Sequence, residues 1–212
     1  MTNIGILGSG RVATNLATAL ASSGYDVTIG TRDLAQAEAR WSGPGISFDD
    51  YAHTASNSPM VINATPGETS LERLSALRSE LTGKILIDVS NATRHDSSGL
   101  PGSLVYPNSS LAEHLQEALP HTRVVKTLNT MLFTVMTAPK TLATPPTAFM
   151  SGNDANAKIA VLELLQALGW PNDWILDLGD ITTARGTEAI AILVPSVIRS
   201  RGFAPFALTI AS

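Results

Sequence analysis

Cysteine is absent from this chain of 212 residues, and charge is sparse, since only 15% of the residues are Asp, Glu, Lys or Arg. A chain without cysteine has no disulfide, no thiolate nucleophile and no cysteine-ligated metal. The four histidines share no spacing typical of metal ligands. The composition therefore predicts no metal site, and it permits a reducing compartment.

An excess of basic residues is also missing, because 14 Lys and Arg stand against 18 Asp and Glu, for a net charge of −4. Such a balance offers no basic surface to hold a nucleic acid. The longest apolar run, residues 189–198, is shorter than a membrane span and contains Pro195. The first residues lack the basic and apolar regions of a signal peptide. We therefore expect a cytoplasmic protein with no nucleic-acid or membrane partner.

Short apolar runs typical of strands alternate with helical patterns along the chain. The expected strands are residues 4–7, 27–29, 46–48, 60–63, 85–89, 123–127, 147–150 and 174–178. This alternation predicts an α/β fold of the Rossmann type, doubly wound around a mostly parallel sheet.

No linker separates two independent domains, so residues 1–212 are expected to form a single domain. Residues 1–145, approximately, form its core. Residues 146–212, approximately, add C-terminal strand and helix elements to the same sheet.

A glycine-rich turn follows the first expected strand and opens a helix. Its residues are Gly8, Ser9, Gly10, Arg11, Val12 and Ala13. The first glycine allows a tight turn, the second leaves room for a pyrophosphate, and the small last residue lets the helix pack against the strand. Backbone N–H groups at the helix start then face the phosphates. The turn predicts a dinucleotide site, the alternative being a turn of the same shape that binds no ligand.

The second expected strand ends in Thr31 and Arg32. An NAD site usually has a carboxylate here, which accepts a hydrogen bond from the ribose 2′-hydroxyl. A hydroxyl and a guanidinium suit a 2′-phosphate instead. Asp33 follows directly, and it is expected to cap the next helix. The pattern favours NADP over NAD.

Other candidate residues follow the later strands, because ligands in open α/β sheets bind outside the carboxyl ends of strands. Ala64, Thr65 and Pro66 are expected to line the nicotinamide ribose, although Pro66 is also a common strand terminator. Asn91 either contacts the nicotinamide side or forms an Asx turn. Asn129 is expected at the mouth of the site.

A proton donor for carbonyl chemistry is not evident. His95 is the one histidine near expected strand ends, and nothing in the sequence orients it. Lys126 is either an acid or a structural residue, and the sequence favours the structural role, with the amine reaching solvent from the end of a strand. No catalytic residue is assigned. A substrate that accepts hydride into a conjugated ring fits this sequence better than a carbonyl substrate. The protein then has mainly to orient the nicotinamide ring and the acceptor ring.

With these residues, the chain resembles the NADP-dependent oxidoreductases of the coenzyme F420 (deazaflavin) reductase-like family. The resemblance runs nearly end to end and is carried by Gly8-Ser9-Gly10, Thr31-Arg32, Thr65-Pro66, Asp88-x-x-Asn91, Lys126-Thr127-Leu128-Asn129-Thr130 and Ser151-Gly152-Asn153-Asp154. It implies NADPH in the cleft, with Thr31 and Arg32 on the 2′-phosphate. It also implies a planar flavin or deazaflavin-like acceptor facing the nicotinamide, and a homodimer.

Two other functions stay open at this point. The first is an imine or pyrroline-carboxylate reductase, which shares a similar nucleotide turn but usually adds a long helical dimerisation domain. The second is a non-catalytic NADP-binding sensor, because fold alone does not determine function. The apolar face of the last helix (Ile190, Leu193, Val194 and Val197) is expected either to close the core or to form a dimer interface.

Overall fold

Strands and helices alternate through residues 2–211, the part of the chain that the computed structural model describes. The strands are β1 (Asn3–Leu7), β2 (Asp26–Gly30), β3 (Ser47–Asp49), β4 (Met60–Asn63), β5 (Ile85–Asp88), β6 (Thr93–His95), β7 (Pro101–Leu104), β8 (Arg123–Thr127), β9 (Ala148–Gly152) and β10 (Ile175–Gly179). The helices are α1 (Arg11–Ser22), α2 (Leu34–Arg40), α3 (Tyr51–Asn57), α4 (Gly67–Ser75), α5 (Arg78–Leu81), α6 (Leu111–Ala118), α7 (Phe133–Met136), α8 (Ala155–Ala167), α9 (Ala184–Ala189) and α10 (Val194–Arg201).

Eight of the strands form one sheet in the order β10-β9-β8-β5-β4-β1-β2-β3. Neighbouring strands run parallel, except that β9 is antiparallel to β8. Each of these strands overlaps one expected from the sequence. The predicted Rossmann-type α/β fold with a mostly parallel sheet is confirmed.

The sheet is covered on both faces, and β4 and β5 at its centre are apolar up to their last residues, Asn63 and Asp88, as is usual for strands buried on both sides. Every residue of β4 and β5 is buried. On one face the core includes Leu16 and Leu20 of α1 and Leu164 of α8. On the other face it includes Leu74 of α4 and Leu115 of α6. The chain order of these helices makes the fold doubly wound.

Local structure differs from the sequence pattern in several places. The leucines of residues 68–81 are spaced for one face of a single helix, but this stretch is split into α4 and α5, because a tight turn in which Leu77 N–H donates to the Leu74 carbonyl breaks the helix. Both leucines nevertheless stay in the core. Residues 91–108 are rich in Ser, Gly, Asn and Pro, a composition typical of a long loop, but they contain the antiparallel hairpin of β6 and β7. These strands are largely exposed and lie in a segment rich in glycine and serine, so they show no apolar pattern that would predict a strand.

The last helical stretch is not one regular helix. A 3₁₀ turn, Ile190–Leu193, separates α9 from α10. Pro195 lies in the first turn of α10. A proline has no N–H to donate and crowds the carbonyl four residues earlier, so the chain tightens locally before it.

Candidate active site

One cleft of about 1110 Å³ follows the carboxyl edge of the sheet. It is lined by every site residue expected from the sequence, namely Gly8, Ser9, Gly10, Arg11, Val12, Thr31, Arg32, Ala64, Thr65, Pro66, Asn91 and Asn129. These residues come from the ends of five strands, and the parallel sheet brings those ends together. The cleft therefore lies where open α/β sheets bind their ligands.

The glycine-rich turn has the shape that a bound pyrophosphate requires. Gly8 has φ +117°, and its N–H donates to the Gly30 carbonyl at 2.9 Å, which ties the turn to β2. Gly10 is the N-cap of α1, and a Cβ placed on it would meet no atom within 4 Å. No side chain caps α1, and its first turn has no acidic residue. The helix start thus offers backbone N–H groups and open space to an anion.

The residues after β2 place a hydroxyl, a guanidinium and a carboxylate beside the cleft. The Asp33 carboxylate accepts from Gln36 N–H at 3.0 Å and so caps α2, as expected. Thr31 is buried and donates to the Ser9 hydroxyl at 3.1 Å. Arg32 is exposed on the cleft and forms no ion pair with any residue in the range 2–211. Its guanidinium is available to an anionic ligand.

A buried polar network holds the turn that follows β4. Asn63 is fully buried, and its amide donates to Asp88 Oδ1 at 2.8 Å. The Thr65 hydroxyl donates to Asn63 Oδ1 at 2.7 Å and shares a second bond of 2.7 Å with the Ser70 hydroxyl. The network orients Thr65 and Pro66 at the cleft. Asn63 was not predicted from the sequence as a site residue. A polar residue at the end of an otherwise apolar strand could have indicated it.

Lys126 does not reach solvent, which corrects the expectation of a snorkelling side chain. It is 1% exposed, and its amine bonds to Asp88 Oδ2 at 2.7 Å and to Glu188 Oε1 at 2.8 Å. The amine also donates to the main-chain carbonyl of Ser90. Lys126 is not among the residues that line the cleft. Its role is to join β5, β8 and α9 beneath the site.

The charge on Lys126 is stabilised where it lies. Burial lowers its pKa, but the attraction of the Asp88 and Glu188 carboxylates outweighs burial, so that the pKa is raised above its ordinary value. The amine is therefore a poor proton donor at neutral pH. This electrostatic state agrees with a structural role.

Asn91 and Asn129 bind each other across neighbouring strand ends. The Asn91 amide donates to the main-chain carbonyl of Asn129 at 2.8 Å, and the Asn129 amide donates to Asn91 Oδ1 at 2.9 Å. Leu128, which precedes Asn129, has φ +59° although it is not glycine. The side chain of Asn91 thus bridges to Asn129 at the cleft and does not form an Asx turn.

A set of apolar residues forms a second part of the lining, here called the apolar wall, and the sequence singled out only Ile190 and Val194 among them, for the core or a dimer interface. Its members are Met131, Leu132, Phe133, Met136, Ile190, Ala191, Val194 and Phe206. The C-terminal segment joins this wall through backbone bonds from Leu132 N–H to the Phe206 carbonyl (2.9 Å) and from Leu208 N–H to the Thr130 carbonyl (3.1 Å). Residues far apart in the chain build this wall, so no local pattern indicates it.

His95 also lines the cleft, from the end of β6, and its side chain is exposed. The other histidines are not among the lining residues. The Arg11 guanidinium lies over the Phe133 ring, 5.5 Å from its centroid, and connects the glycine-rich turn to the apolar wall.

Known proteins match both the sequence and the fold. A family model described as "NADP oxidoreductase coenzyme F420-dependent" matches residues 3–92. A crystal structure of a candidate F420-dependent NADP-reductase from Arthrobacter sp. FB24 is 40% identical, covers 99% of each chain and superposes with a TM-score of 0.90. The chain belongs to the F420-dependent NADP oxidoreductase family. The predicted family, one of NADP-dependent oxidoreductases, is confirmed.

Two relatives show how much of a longer protein the chain matches. Metalloreductase STEAP3 of Rattus norvegicus is 33% identical over 198 residues, which are 91% of this chain and 37% of that protein. The F420-dependent NADP reductase of Methanocaldococcus jannaschii is 27% identical over 143 residues, which are 66% of this chain and 62% of that protein. The chain therefore spans less than two thirds of the length of these curated relatives.

Proposed function

We propose that the chain is an NADPH-dependent oxidoreductase that transfers hydride between the nicotinamide and a flavin or deazaflavin-like planar acceptor. The observation that carries the proposal is a single cleft that combines an uncapped helix start, a free guanidinium and an apolar wall. NADPH, when bound, supplies the hydride. The chain binds and orients both ligands and keeps water away from them.

The polar part of the cleft fits the phosphates of NADPH. The N–H groups at the start of α1 would hold the pyrophosphate, with Ser9, Arg11 and Val12 around it. Thr31 and Arg32 would hold the 2′-phosphate. Ala64, Thr65 and Pro66 would line the nicotinamide ribose, and Asn91 and Asn129 would lie beside the nicotinamide.

The apolar part of the lining supports a second ligand beside the dinucleotide. The apolar wall is suited to the face of a conjugated ring. It is built largely by residues 131–136 and by the C-terminal elements. We propose that residues 1–145, approximately, form the nucleotide-binding core, and that residues 146–212, approximately, help to complete the acceptor side.

The proposal is tested by stopped-flow measurement of hydride loss from NADPH at saturating cofactor. The acceptors are F420, flavin mononucleotide, riboflavin and a cyclic imine. Rapid oxidation by one of the first three supports the proposal. Oxidation by the imine alone identifies an imine reductase. Tight NADPH binding with no oxidation by any acceptor identifies a sensor.

Arg32→Ala should weaken NADPH binding by about 1.5–3 kcal/mol, or roughly 10- to 150-fold, because a charge-assisted bond to the 2′-phosphate is lost. NADH, which has no such phosphate, should bind as before. Calorimetric titration measures both dissociation constants. Arg78→Ala is the matched control, since Arg78 is exposed in α5, at the opposite edge of the sheet. Equal weakening of NADPH and NADH by Arg32→Ala would contradict the assignment.

We further propose a cytoplasmic homodimer associated through the C-terminal helix. Ile190 and Val194 of the expected apolar face line the cleft, whereas Leu193 is 53% exposed and its neighbour Ile192 is 43% exposed. These two side chains are available to a second copy. Sedimentation velocity over a range of concentrations tests the dimer, and a monomer throughout would exclude it.

The stretch Ile181–Arg201 is also long and apolar enough to cross a membrane, although core helices of soluble proteins have the same character.

A further inference from the structure

The pair formed by Asn91 and Asn129 determines which atom the cleft presents to a ligand. The main-chain carbonyl of Asn129 can only accept, so the atom of Asn91 that faces it must be Nδ2. Oδ1 of Asn91 is therefore the atom that accepts a hydrogen bond from the Asn129 side chain, and the donor must be Asn129 Nδ2. The two amides cannot be flipped without breaking both bonds, so their orientation is fixed by chemistry.

This arrangement leaves one acceptor unused. Oδ1 of Asn129 accepts no hydrogen bond from residues 2–211. The atom is accessible and not buried. Asn129 as a residue is 5% exposed and lines the cleft. The cleft wall between the ends of β5 and β8 thus carries a carbonyl oxygen in one fixed orientation.

The backbone maintains this position at a cost. Leu128 is buried and has φ +59°, a region that costs a non-glycine residue about 1 kcal/mol or more. On the other side of the pair, the buried Lys126 amine holds the Ser90 carbonyl next to Asn91. Strain that persists at a site wall indicates that the surrounding structure selects the position of Asn129.

We propose that Oδ1 of Asn129 accepts a hydrogen bond from the carboxamide NH₂ of the nicotinamide and thereby fixes the orientation of the ring. The inference rests on the proposed function. The carboxamide lies on one edge of the ring, so a fixed acceptor in the protein distinguishes the two orientations of the ring about its glycosidic bond. An N–H group is the complement that a carbonyl oxygen requires.

The test compares dissociation constants of NADP⁺ and two analogues by calorimetric titration of the intact protein. The acetylpyridine analogue has a methyl group in place of the NH₂, whereas the thionicotinamide analogue keeps the NH₂. We expect the acetylpyridine analogue to bind roughly 3- to 10-fold more weakly than NADP⁺. The thionicotinamide analogue should bind about as tightly as NADP⁺.

Two variants assign the discrimination to the asparagine pair. Asn129→Leu removes the acceptor, so NADP⁺ and the acetylpyridine analogue should bind equally. Asn91→Leu frees the Asn129 amide to rotate, so the discrimination should fall. Arg32→Ala is the control, because it should weaken all three ligands by the same factor and leave their ratios unchanged.

The possible failures are distinct. If the wild-type protein binds NADP⁺ and the acetylpyridine analogue equally, the inference is overturned while the proposed function stands. If the discrimination persists in Asn129→Leu, another group recognises the carboxamide and the inference is again overturned. If NADP⁺ does not bind at all, the proposed function itself fails.

Discussion

Lys126→Met should lower the free energy of unfolding by about 3–5 kcal/mol, the cost of removing one partner from a buried ion pair. The amine of Lys126 is the cation between Asp88 and Glu188, which are themselves almost completely buried. Methionine fills a similar volume, so that the loss comes from two carboxylates left without compensation. Denaturation by urea, followed by circular dichroism, measures the change.

Lys158→Met is the matched control for this prediction. Lys158 pairs with Asp177 at 2.8 Å, but the carboxylate is 48% exposed. Exposed pairs contribute about 0–1 kcal/mol, so this variant should unfold almost like the wild type. If Lys126→Met does not fold, Glu188→Gln tests the same cluster, since it keeps the shape and removes one charge. A loss below about 1 kcal/mol in Lys126→Met would contradict the buried ion pair.

The pH dependence of the difference between wild type and Lys126→Met follows from the raised pKa of Lys126. A pKa that is higher in the folded state stabilises the protein fully below the unfolded value, about 10.4 for lysine. That stability is lost as the pH rises through the folded value. The difference in unfolding free energy should therefore be constant between about pH 7 and pH 9 and shrink above about pH 10.4. A decrease that begins near neutral pH would show that the lysine is not held charged.

Gly8→Ala should destabilise the fold by roughly 2–4 kcal/mol, through backbone strain and overpacking. Gly8 has φ +117°, which side-chain-bearing residues rarely adopt. An added Cβ would lie 2.6 Å from the Ala64 carbonyl oxygen. Both atoms belong to tightly packed backbone segments, so neither moves cheaply. The midpoint of urea unfolding measures this effect without any ligand.

Gly10→Ala, two residues away, should have the opposite profile. Gly10 has φ −83° and ψ −175°, an extended conformation open to any residue, and its Cβ would meet no protein atom within 4 Å. Stability should stay within about 0.5 kcal/mol of the wild type. The methyl group would enter the space assigned to the pyrophosphate, so NADPH binding should weaken by roughly 5- to 150-fold. A destabilised Gly10→Ala with unchanged NADPH affinity would contradict the assignment of the helix start.

Much of the fold follows from local signals in the sequence. Strands such as β4 and β5 are short apolar runs that end in one polar residue, and the glycine-rich turn after β1 has a specific spacing of small residues. Asp33 was correctly expected to cap α2, because capping depends on a residue and its next few neighbours. The hairpin of β6 and β7 was missed, since its strands are short and mostly exposed.

The amino-acid sequence by itself determined the order of the strands and helices, the glycine-rich turn and the candidate residues at the strand ends, because each depends on neighbours a few positions away. Only the tertiary structure decided that Lys126 is buried, since its partners Asp88 and Glu188 are 38 and 62 positions distant. The same holds for the orientation of the Asn129 amide and for the apolar wall. Side chains that meet only after the sheet has formed leave no periodic pattern in the chain.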